Sequence, residues 1–514
     1  MRKTDWRNAA LALLLGAGFP LGFAPYAWWP LSLLSAGGLF LLIHNAQRRT
    51  LLLAWIYGVG KYLSGASWIY VSIYEYGNAS MLLAALLVAV FVAGLALFMV
   101  PVGWAMRRFR VATPWVNGLV FCCAWSLMEW SLTWLLTGFP WLFVGYSLVD
   151  SWFVGLLPVW GVLGTGFWAL VFAIGSLLCI RAVWQGIPVA REPLLMTAMP
   201  VVIALCVLPW QWVASSGSYS VAIVQGNVDQ TIKWDDDQRQ NIVNRYLALS
   251  EDHWSADALV WPEFAMTAYG AEAERVTRAL DVRGKESTTS VVIGAPRVEW
   301  RHDFKGADSN APRYKIFNAA LGLGRAEGVV TKHHLVPFGD YVPLQDWLRG
   351  VIDFFDLPMS NATRGASQQA NLVLSLGGKD VQTAMGICYE IAYGDSMRRR
   401  AKDSGLLMTL TNDTWFGRSI GPHQHMQIAR VRAVENGRWL LRAANDGVTG
   451  VVDHKGRVRA QLPQFVQGVL ATSFQIMQGT TPYSVMGDWP LFAIIAGWAL
   501  VAVRRSRAGA KGFS

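Results

Sequence analysis

Eight apolar stretches constrain this chain more than any other feature of its sequence. A helix needs about 20 predominantly apolar residues to cross the hydrocarbon core of a bilayer. Seven stretches near that length precede residue 215, and one follows a long polar segment. The sequence therefore predicts an integral membrane α-helical bundle of eight spans. The stretches are Asn8–Phe23, Trp28–Ile43, Leu51–Tyr74, Ala79–Trp104, Pro114–Leu136, Leu156–Ile180, Leu194–Val213 and Val485–Val503.

The composition also favours a membrane protein. Charged residues make up only 15% of the chain, whereas soluble proteins carry about 25%. The 26 tryptophans fit membrane interfaces, where this residue is enriched. The formal net charge is +10, but the basic residues lie at the ends of the apolar stretches. We therefore expect them to set membrane orientation, and we expect no nucleic-acid partner. The first stretch lacks a small-residue cleavage site, so we expect a retained span rather than a signal peptide.

The loops predict the orientation. The loops Ala24–Pro30 and Glu75–Ser80 contain no Lys or Arg, whereas the alternate loops and both ends of the chain are basic. The positive-inside rule then places both termini in the cytoplasm. We expect seven membrane helices in 1–216, an extracytoplasmic domain in 217–480, and an eighth helix with a cytoplasmic tail in 481–514. The basic residues are Arg2, Lys3, Arg7, Arg48, Arg49, Arg107, Arg108, Arg110, Arg181, Arg191, Arg504, Arg505, Arg507 and Lys511.

One of the five cysteines stands apart from the others. Cys122, Cys123, Cys179 and Cys206 lie in apolar stretches, where cysteine behaves as a small hydrophobic residue. Cys388 is the single cysteine of the polar segment, so it has no disulfide partner there. An unpaired thiol in an oxidising compartment is either reactive or buried and inert. The cysteine count alone leaves both readings open.

The polar segment has the pattern of an α/β domain. Short β-rich runs such as YSVAIVQGN alternate with helical runs such as DDDQRQNIVNRYLALSEDHW. In such folds functional groups gather at the carboxyl ends of strands. Glu263 follows DALVWP, Lys332 follows GVVT and Cys388 follows TAMGI. Alone, a Glu or a Lys at such a place is more often a solvated surface group. The prediction of a site therefore rests on the set of three.

These three residue types together can perform acyl transfer. A thiolate attacks a carbonyl and holds the acyl group as a thioester. A free thiol has a pKa near 8.5 and needs activation. Glu263 could take the thiol proton, and Lys332 could stabilise both the thiolate and the oxyanion of the tetrahedral intermediate.

Four ordered motifs carry a family resemblance. WPE, TKHHLVPFGDYVP, GICYE and TNDTWFG resemble the nitrilase superfamily of carbon–nitrogen hydrolases. Joined to eight spans, they resemble the apolipoprotein N-acyltransferase family of the bacterial inner membrane. Ser67–Ile73, Leu136–Leu142, Asp353–Ser360 and the run SIGPHQHMQIARVRAVENGR extend the resemblance over nearly the whole chain.

The resemblance implies a fold and a catalytic set. The fold is an extracytoplasmic nitrilase-like α-β-β-α sandwich. Glu263 would be the general base, Lys332 the transition-state stabiliser and Cys388 the nucleophile. Asp340 stands where these acyltransferases usually have Glu, with a side chain one methylene shorter, and would orient Lys332 or Glu263.

Further positions match the family, each with an alternative reading. Tyr389 and Glu390 would support the site, and Trp234 matches a functional position but is as easily a packing residue. Trp415 and Phe416 would form a lid or acyl-pocket wall that excludes water, or would simply pack.

The implied reaction has two halves. Cys388 takes an acyl chain from a phospholipid, and the thioester is then attacked by the α-amino group of the diacylglyceryl-cysteine of an apolipoprotein. A phospholipid donor, an apolipoprotein acceptor and membrane lipids are thus the implied partners, for an enzyme that we expect to be a monomer. A membrane-anchored amidase that hydrolyses its thioester, and a transporter whose outer domain only binds substrate, are the alternative functions.

The sequence favours no metal and no cofactor. His423 and His425 are two apart in a helical stretch and would not share a face, and no acidic or cysteine set completes a site. The Gly-rich loops lack phosphate-loop spacing. Lys61 and Glu129 lie within apolar stretches, where charged residues are costly and often functional.

Overall fold

The computed structural model describes residues 3–46, 48–300, 314–341 and 361–511. The chain divides into two units. One is helical and contains the described residues of Met1–Tyr70, Leu82–Trp212 and Thr481–Ser514. The other contains those of Val71–Met81 and Val213–Thr480.

Apolar helices of different lengths form the first unit. Two helical stretches, Met81–Arg108 and Trp152–Trp184, are long and apolar enough to cross a membrane among the residues described, and Trp489–Leu500 is a shorter apolar helix. Several others have 16 to 18 residues, about 24–27 Å at the usual rise. The arrangement of eight spans therefore stays a prediction. The principal helices are Lys3–Gly18, Trp29–Asn45, Thr50–Ala66, Met81–Ala96, Val100–Arg108, Pro114–Ser131, Leu157–Trp184, Arg191–Val207, Pro482–Met486 and Trp489–Lys511.

The third apolar stretch is not one helix. The prediction of a single span over Leu51–Tyr74 is wrong, because the helix ends at Ala66. A short helix at Ile69–Val71 and a π-helical turn at Ser72–Tyr76 follow it. At the break, the Trp68 indole Nε1 donates to the carbonyl of Gly65 at 3.1 Å and satisfies a group that the helix end leaves free. The stretch is apolar on both sides of the break, so hydropathy could not locate it.

Two sheets form the centre of the second unit. In the described chain the first has six strands in the order β13-β1-β2-β3-β4-β6 and the second seven in the order β12-β11-β10-β9-β8-β7-β5. The strands are β1 Val213–Gln225, β2 Ala258–Val260, β3 Ser290–Trp300, β4 Tyr314–Gly324, β5 Ala326–Glu327, β6 Val329–Thr331, β7 Leu372–Leu376, β8 Lys379–Ile387, β9 Leu406–Thr411, β10 Trp439–Ala444, β11 Gly450–Val452, β12 Val458–Gln461 and β13 Gly468–Gly479.

Helices cover the outer face of each sheet. Arg239–Ser250 and Gly270–Glu286 pack on the first sheet, and Gly394–Ala401 and Gly421–Asn436 pack on the second. Parallel strands such as β1-β2-β3 and β8-β9-β10 lie at the centres, and their runs are buried because both faces are covered. The two sheets meet directly, as where Ser290 Oγ donates to the Ser375 carbonyl at 3.0 Å. The predicted α-β-β-α architecture of this unit is confirmed.

Candidate active site

Glu263 stands in a tight turn after β2. Its carboxylate is buried, and its Oε1 accepts a hydrogen bond from Asn318 Nδ2 of β4 at 2.7 Å. The turn lies directly over β3, where a Cβ on Gly294 would come within 2.3 Å of the Pro262 carbonyl oxygen. Only glycine allows this close approach. The turn thus fixes the carboxylate inside the unit rather than at the surface.

Lys332 follows β6 and brings two carboxylates together. Its buried Nζ lies 3.2 Å from Glu263 Oε1 and 2.7 Å from Asp340 Oδ2. Burial alone would lower the pKa of Lys332, but the charges of Asp340 and Glu263 outweigh it and hold that pKa well above its usual value. The ammonium is therefore permanently charged at neutral pH.

Asp340 reaches Lys332 although its side chain is short. Its Oδ2 also accepts the backbone N–H of Val336 at 2.8 Å, which anchors the loop after the lysine. Burial raises the pKa of Asp340, and the attraction of Lys332 opposes that shift. The shorter carboxylate therefore still makes the contact that would orient the lysine.

Cys388 occupies a strained position at the end of β8. Its φ of 53° lies in the left-handed region, which non-glycine residues adopt only at a cost of about 1–3 kcal/mol. The residue is 8% exposed. Burial and the charge of Glu263 raise the pKa of the thiol to about 12, and Lys332 opposes the shift without cancelling it. The resting thiol is thus neutral at pH 7, and a base must remove its proton during attack.

Glu390 ties the nucleophile segment to the lysine segment. Its carboxylate accepts the backbone N–H groups of His333 at 2.8 Å, His334 at 3.1 Å and Ile387 at 3.0 Å. Burial would raise the pKa of Glu390, but the His334 side chain, the charge of Arg400 and the backbone N–H groups of Ile387 and His333 lower it to about 2. Tyr389 is buried beside it, with its ring 5.4 Å from that of Tyr393. Glu390 thus holds the chain geometry on which Cys388 depends.

Comparison with known proteins identifies the family. A model of the apolipoprotein N-acyltransferase N-terminal domain matches residues 15–175, and one of carbon-nitrogen hydrolases matches residues 220–480. An apolipoprotein N-acyltransferase of Pseudomonas syringae pv. tomato is 39% identical over 98% of this chain and 99% of its own length. The chain belongs to the apolipoprotein N-acyltransferase family. It is an acyltransferase of the carbon–nitrogen hydrolase superfamily, and the resemblance read from the motifs is confirmed.

Two further proteins are similar to this chain. An apolipoprotein N-acyltransferase of Pseudomonas aeruginosa is 40% identical over 97% of this chain and 96% of its own length. Among solved structures, a carbon-nitrogen hydrolase superfamily protein of Xanthomonas campestris is 17% identical over 50% of this chain and 91% of that chain, with a TM-score of 0.36.

A charged cluster that the sequence did not predict lies behind Cys388. Asp413 accepts a hydrogen bond from Thr411 Oγ1 at 2.9 Å and from Arg442 Nη2 at 2.6 Å. His425 lies 2.9 Å from Asp413 through Nδ1, and its Nε2 lies 3.2 Å from the carbonyl oxygen of Cys388. The signal was Arg442, an arginine inside the apolar strand run WLLRAA, because a fully buried guanidinium requires an acidic partner.

The remaining residues predicted to support the site, or to form its lid or acyl-pocket wall, make contacts of their own. The Trp234 ring packs edge-on against Phe264 at 5.2 Å. Trp415 and Phe416 are half-buried. The Trp415 ring contacts the Tyr76 ring at 5.7 Å, and its carbonyl accepts from Ser72 Oγ at 2.6 Å. These contacts are compatible with either a lid or simple packing. The motif at 353–360 lies outside the described residues.

Proposed function

We propose that this enzyme transfers an acyl chain from a phospholipid to the α-amino group of the diacylglyceryl-cysteine of apolipoproteins, through a thioester on Cys388. The observation that supports it best is the ammonium of Lys332, held between Glu263 and Asp340 and acting on the strained Cys388. Glu263, Lys332 and Cys388 are the proposed catalytic residues. Asp340, Tyr389, Glu390 and Trp234 are proposed to support them.

In the first half-reaction Glu263 takes the thiol proton as Cys388 sulfur attacks the ester carbonyl of the donor. A C–S bond forms, and Lys332 stabilises the negative charge on the carbonyl oxygen. The C–O ester bond then breaks, and Glu263 returns the proton to the leaving oxygen. The products are the thioester and a lysophospholipid.

In the second half-reaction the neutral α-amino nitrogen attacks the thioester carbonyl. Glu263 takes a proton from this nitrogen, the C–S bond breaks, and the Cys388 sulfur is reprotonated. Water must stay out of the site between the two halves, because it would release the acyl group as free acid. The burial of Glu263, Lys332 and Cys388 favours this, and Trp415 and Phe416 are proposed as the lid or acyl-pocket wall.

The topology belongs to the same proposal. Seven spans in 1–216 and one in 481–514 would place both termini in the cytoplasm and residues 217–480 in the periplasm. The two long apolar helices and the basic loops support this arrangement. We propose that the enzyme acts as a monomer in the bacterial inner membrane.

The test is the intact mass of the detergent-purified protein after incubation with phospholipid and no acceptor. We expect a gain of one acyl chain in the wild type and in the control variant Cys206→Ala, which changes an exposed cysteine. The variant Cys388→Ala should show no gain. A synthetic diacylglyceryl-cysteine peptide should discharge the adduct.

The other outcomes distinguish the alternatives. Discharge by water as fast as by the lipopeptide would make the protein a hydrolase of the amidase type. Full transport or acylation function in Cys388→Ala would contradict the covalent mechanism, as would the absence of any adduct in a folded wild-type protein.

A further inference from the structure

A second buried lysine touches the turn that carries Glu263. Lys233 lies in the loop between β1 and the helix Arg239–Ser250, and it is 1% exposed. Its Nζ donates a hydrogen bond to the backbone carbonyl of Glu263 at 3.2 Å. Lysine is almost never fully buried without a partner or a function. The mechanism proposed above does not use this residue.

The loop also contacts the next residue of the same turn. The ring of Trp234 packs against Phe264, whose φ of 49° places it in the left-handed region. The turn Pro262–Phe264 therefore packs closely against Gly294 of β3. It is also held by the hydrogen bond from Lys233 and by the ring contact of Trp234 with Phe264. Because the Lys233 bond uses the backbone carbonyl, the Glu263 carboxylate stays free for Lys332 and Asn318.

The charges around Lys233 connect it to the reacting group. Glu263, Asp446 and Cys388 are the ionisable groups that act on it. Burial lowers the pKa of Lys233 to about 8, although these three groups favour its charged form. Burial raises the pKa of Asp446 to about 6, although the hydrogen bond with Thr414 and the charge of Lys233 oppose the shift. Between these values both residues are charged.

The balance of charges in the site indicates what the ammonium of Lys233 could do. Lys332 carries one positive charge, but it already faces the two carboxylates of Glu263 and Asp340. When Glu263 takes the thiol proton, the negative charge moves from its carboxylate to the Cys388 sulfur, and a buried sulfur anion is costly without compensation. A second buried ammonium, held 3.2 Å from the backbone carbonyl of Glu263, reduces that cost.

We propose that Lys233 is a positioning residue of the acyl-transfer site, which fixes the turn of Glu263 through its hydrogen bond and supplies a second positive charge that favours the Cys388 thiolate. The catalytic role of Lys233 rests on the proposed acyl-transfer function. Its two parts, the bond and the charge, are separable by substitution.

The test is the rate of Cys388 alkylation by iodoacetamide, followed peptide by peptide by mass spectrometry between pH 7 and pH 10. This reaction needs the thiolate but no lipid. Without the positive charge the thiol pKa should rise by about one unit. We therefore expect Lys233→Gln and Lys233→Met to react about tenfold more slowly than the wild type at pH 7.

The pH dependence separates a charge effect from a packing effect. The wild-type advantage should shrink above pH 8 as Lys233 itself loses its proton, and should nearly vanish by pH 10. Lys233→Arg should match the wild type at pH 7 and exceed it at pH 10, because its guanidinium stays charged. The control Lys285→Met, at a 60% exposed side chain, should change nothing.

The two neutral variants separate the bond from the charge. Lys233→Gln keeps an N–H donor for the Glu263 carbonyl and should retain a near-normal thermal midpoint, whereas Lys233→Met loses the bond as well. Equal alkylation rates in the wild type and a folded neutral variant, or a rate ratio constant with pH, would overturn the proposal. If neither neutral variant folds, a slow Lys233→Arg at pH 7 overturns it.

The same experiment stays distinct from the test of the function. If the wild type forms no acyl adduct but the alkylation pattern appears as expected, the acyl-transfer function fails and the role of Lys233 stands. If the acyl adduct forms but the alkylation rate does not depend on Lys233, the acyl-transfer function stands and the role of Lys233 fails.

Discussion

Two groups of buried charges meet at Cys388, and they are built differently. The first group, which we call the catalytic face after its proposed role, consists of Glu263, Lys332 and Asp340, and in it two carboxylates share one ammonium. The floor consists of Glu390, Asp413, His425 and Arg442, and in it the carboxylates are held by several fixed donors. Glu390 accepts three backbone N–H groups, and Asp413 is held by an arginine, a threonine and a histidine.

Because the two groups have different hydrogen-bond and charge partners, the pKa values of their members shift in opposite directions. On the floor, fixed donors overcome burial and hold the pKa of Glu390 at about 2 and that of Asp413 below its usual range. On the catalytic face, burial prevails and raises the pKa of Asp340, as it does for the Cys388 thiol. A carboxylate that accepts several fixed hydrogen bonds stays ionised at every physiological pH and keeps the surrounding backbone in place. On the catalytic face the Cys388 thiol keeps its proton at rest, and removing that proton is the task proposed for Glu263.

Removing the shared ammonium of Lys332 should have the largest effect on both the acylation rate and the stability. We expect Lys332→Met to lower the rate of acyl-enzyme formation at least about a hundredfold, because the oxyanion loses its stabilising charge. It should also lower the free energy of unfolding by about 3–5 kcal/mol, because two buried carboxylates lose their partner. Intact-mass kinetics and the thermal midpoint in detergent measure both effects.

Lys332→Arg is the control for charge. It should recover most of the thermal midpoint but little of the rate, because a guanidinium keeps the charge without the compact geometry of the ammonium. A Lys332→Met variant with wild-type acylation would contradict the role of the catalytic face.

The floor should respond through stability and pH instead. The pKa of Glu390 falls from its ordinary value of 4.5 to about 2 on folding. Its ionised form therefore stabilises the fold above pH 4.5, by about 3 kcal/mol, and this contribution is lost as the pH falls from 4.5 towards 2. We expect Glu390→Gln to lower the thermal midpoint at pH 7, and the difference from the wild type to shrink with acidification over that window.

Glu251→Gln is the matched control, because its carboxylate is 62% exposed and pairs with Arg283 at the surface. It should leave the midpoint nearly unchanged from pH 7 to pH 4. A Glu390→Gln deficit that stayed constant as the pH fell would show that packing, not ionisation, accounts for its effect.

The two groups also differ in how well the sequence predicts them. Glu263, Lys332 and Cys388 stand at strand ends within recognisable motifs, so local pattern and family resemblance both identify them. On the floor, the sequence predicts Glu390 through the GICYE motif but not the cluster of Asp413, His425 and Arg442, because these three residues come from separate segments that only the folded second sheet brings together. The helix break at Ala66 is missed for another reason: a local hydrogen bond from the Trp68 indole to the Gly65 carbonyl accompanies the helix end, and the sequence is apolar on both sides of it.

The smallest expected effect concerns Asp340, the shorter of the two carboxylates of the catalytic face. We expect Asp340→Asn to slow acyl-enzyme formation about ten- to a hundredfold, because losing one charge-assisted hydrogen bond to Lys332 is worth about 1.5–3 kcal/mol. Asp340→Glu keeps the charge, so its rate should stay within about tenfold of the wild type. Its extra methylene must fit a buried place, so a lower thermal midpoint is expected. If Asn and Glu slowed the reaction equally, the 2.7 Å contact with Lys332 would be incidental, and the catalytic face would consist of Glu263 and Lys332 alone.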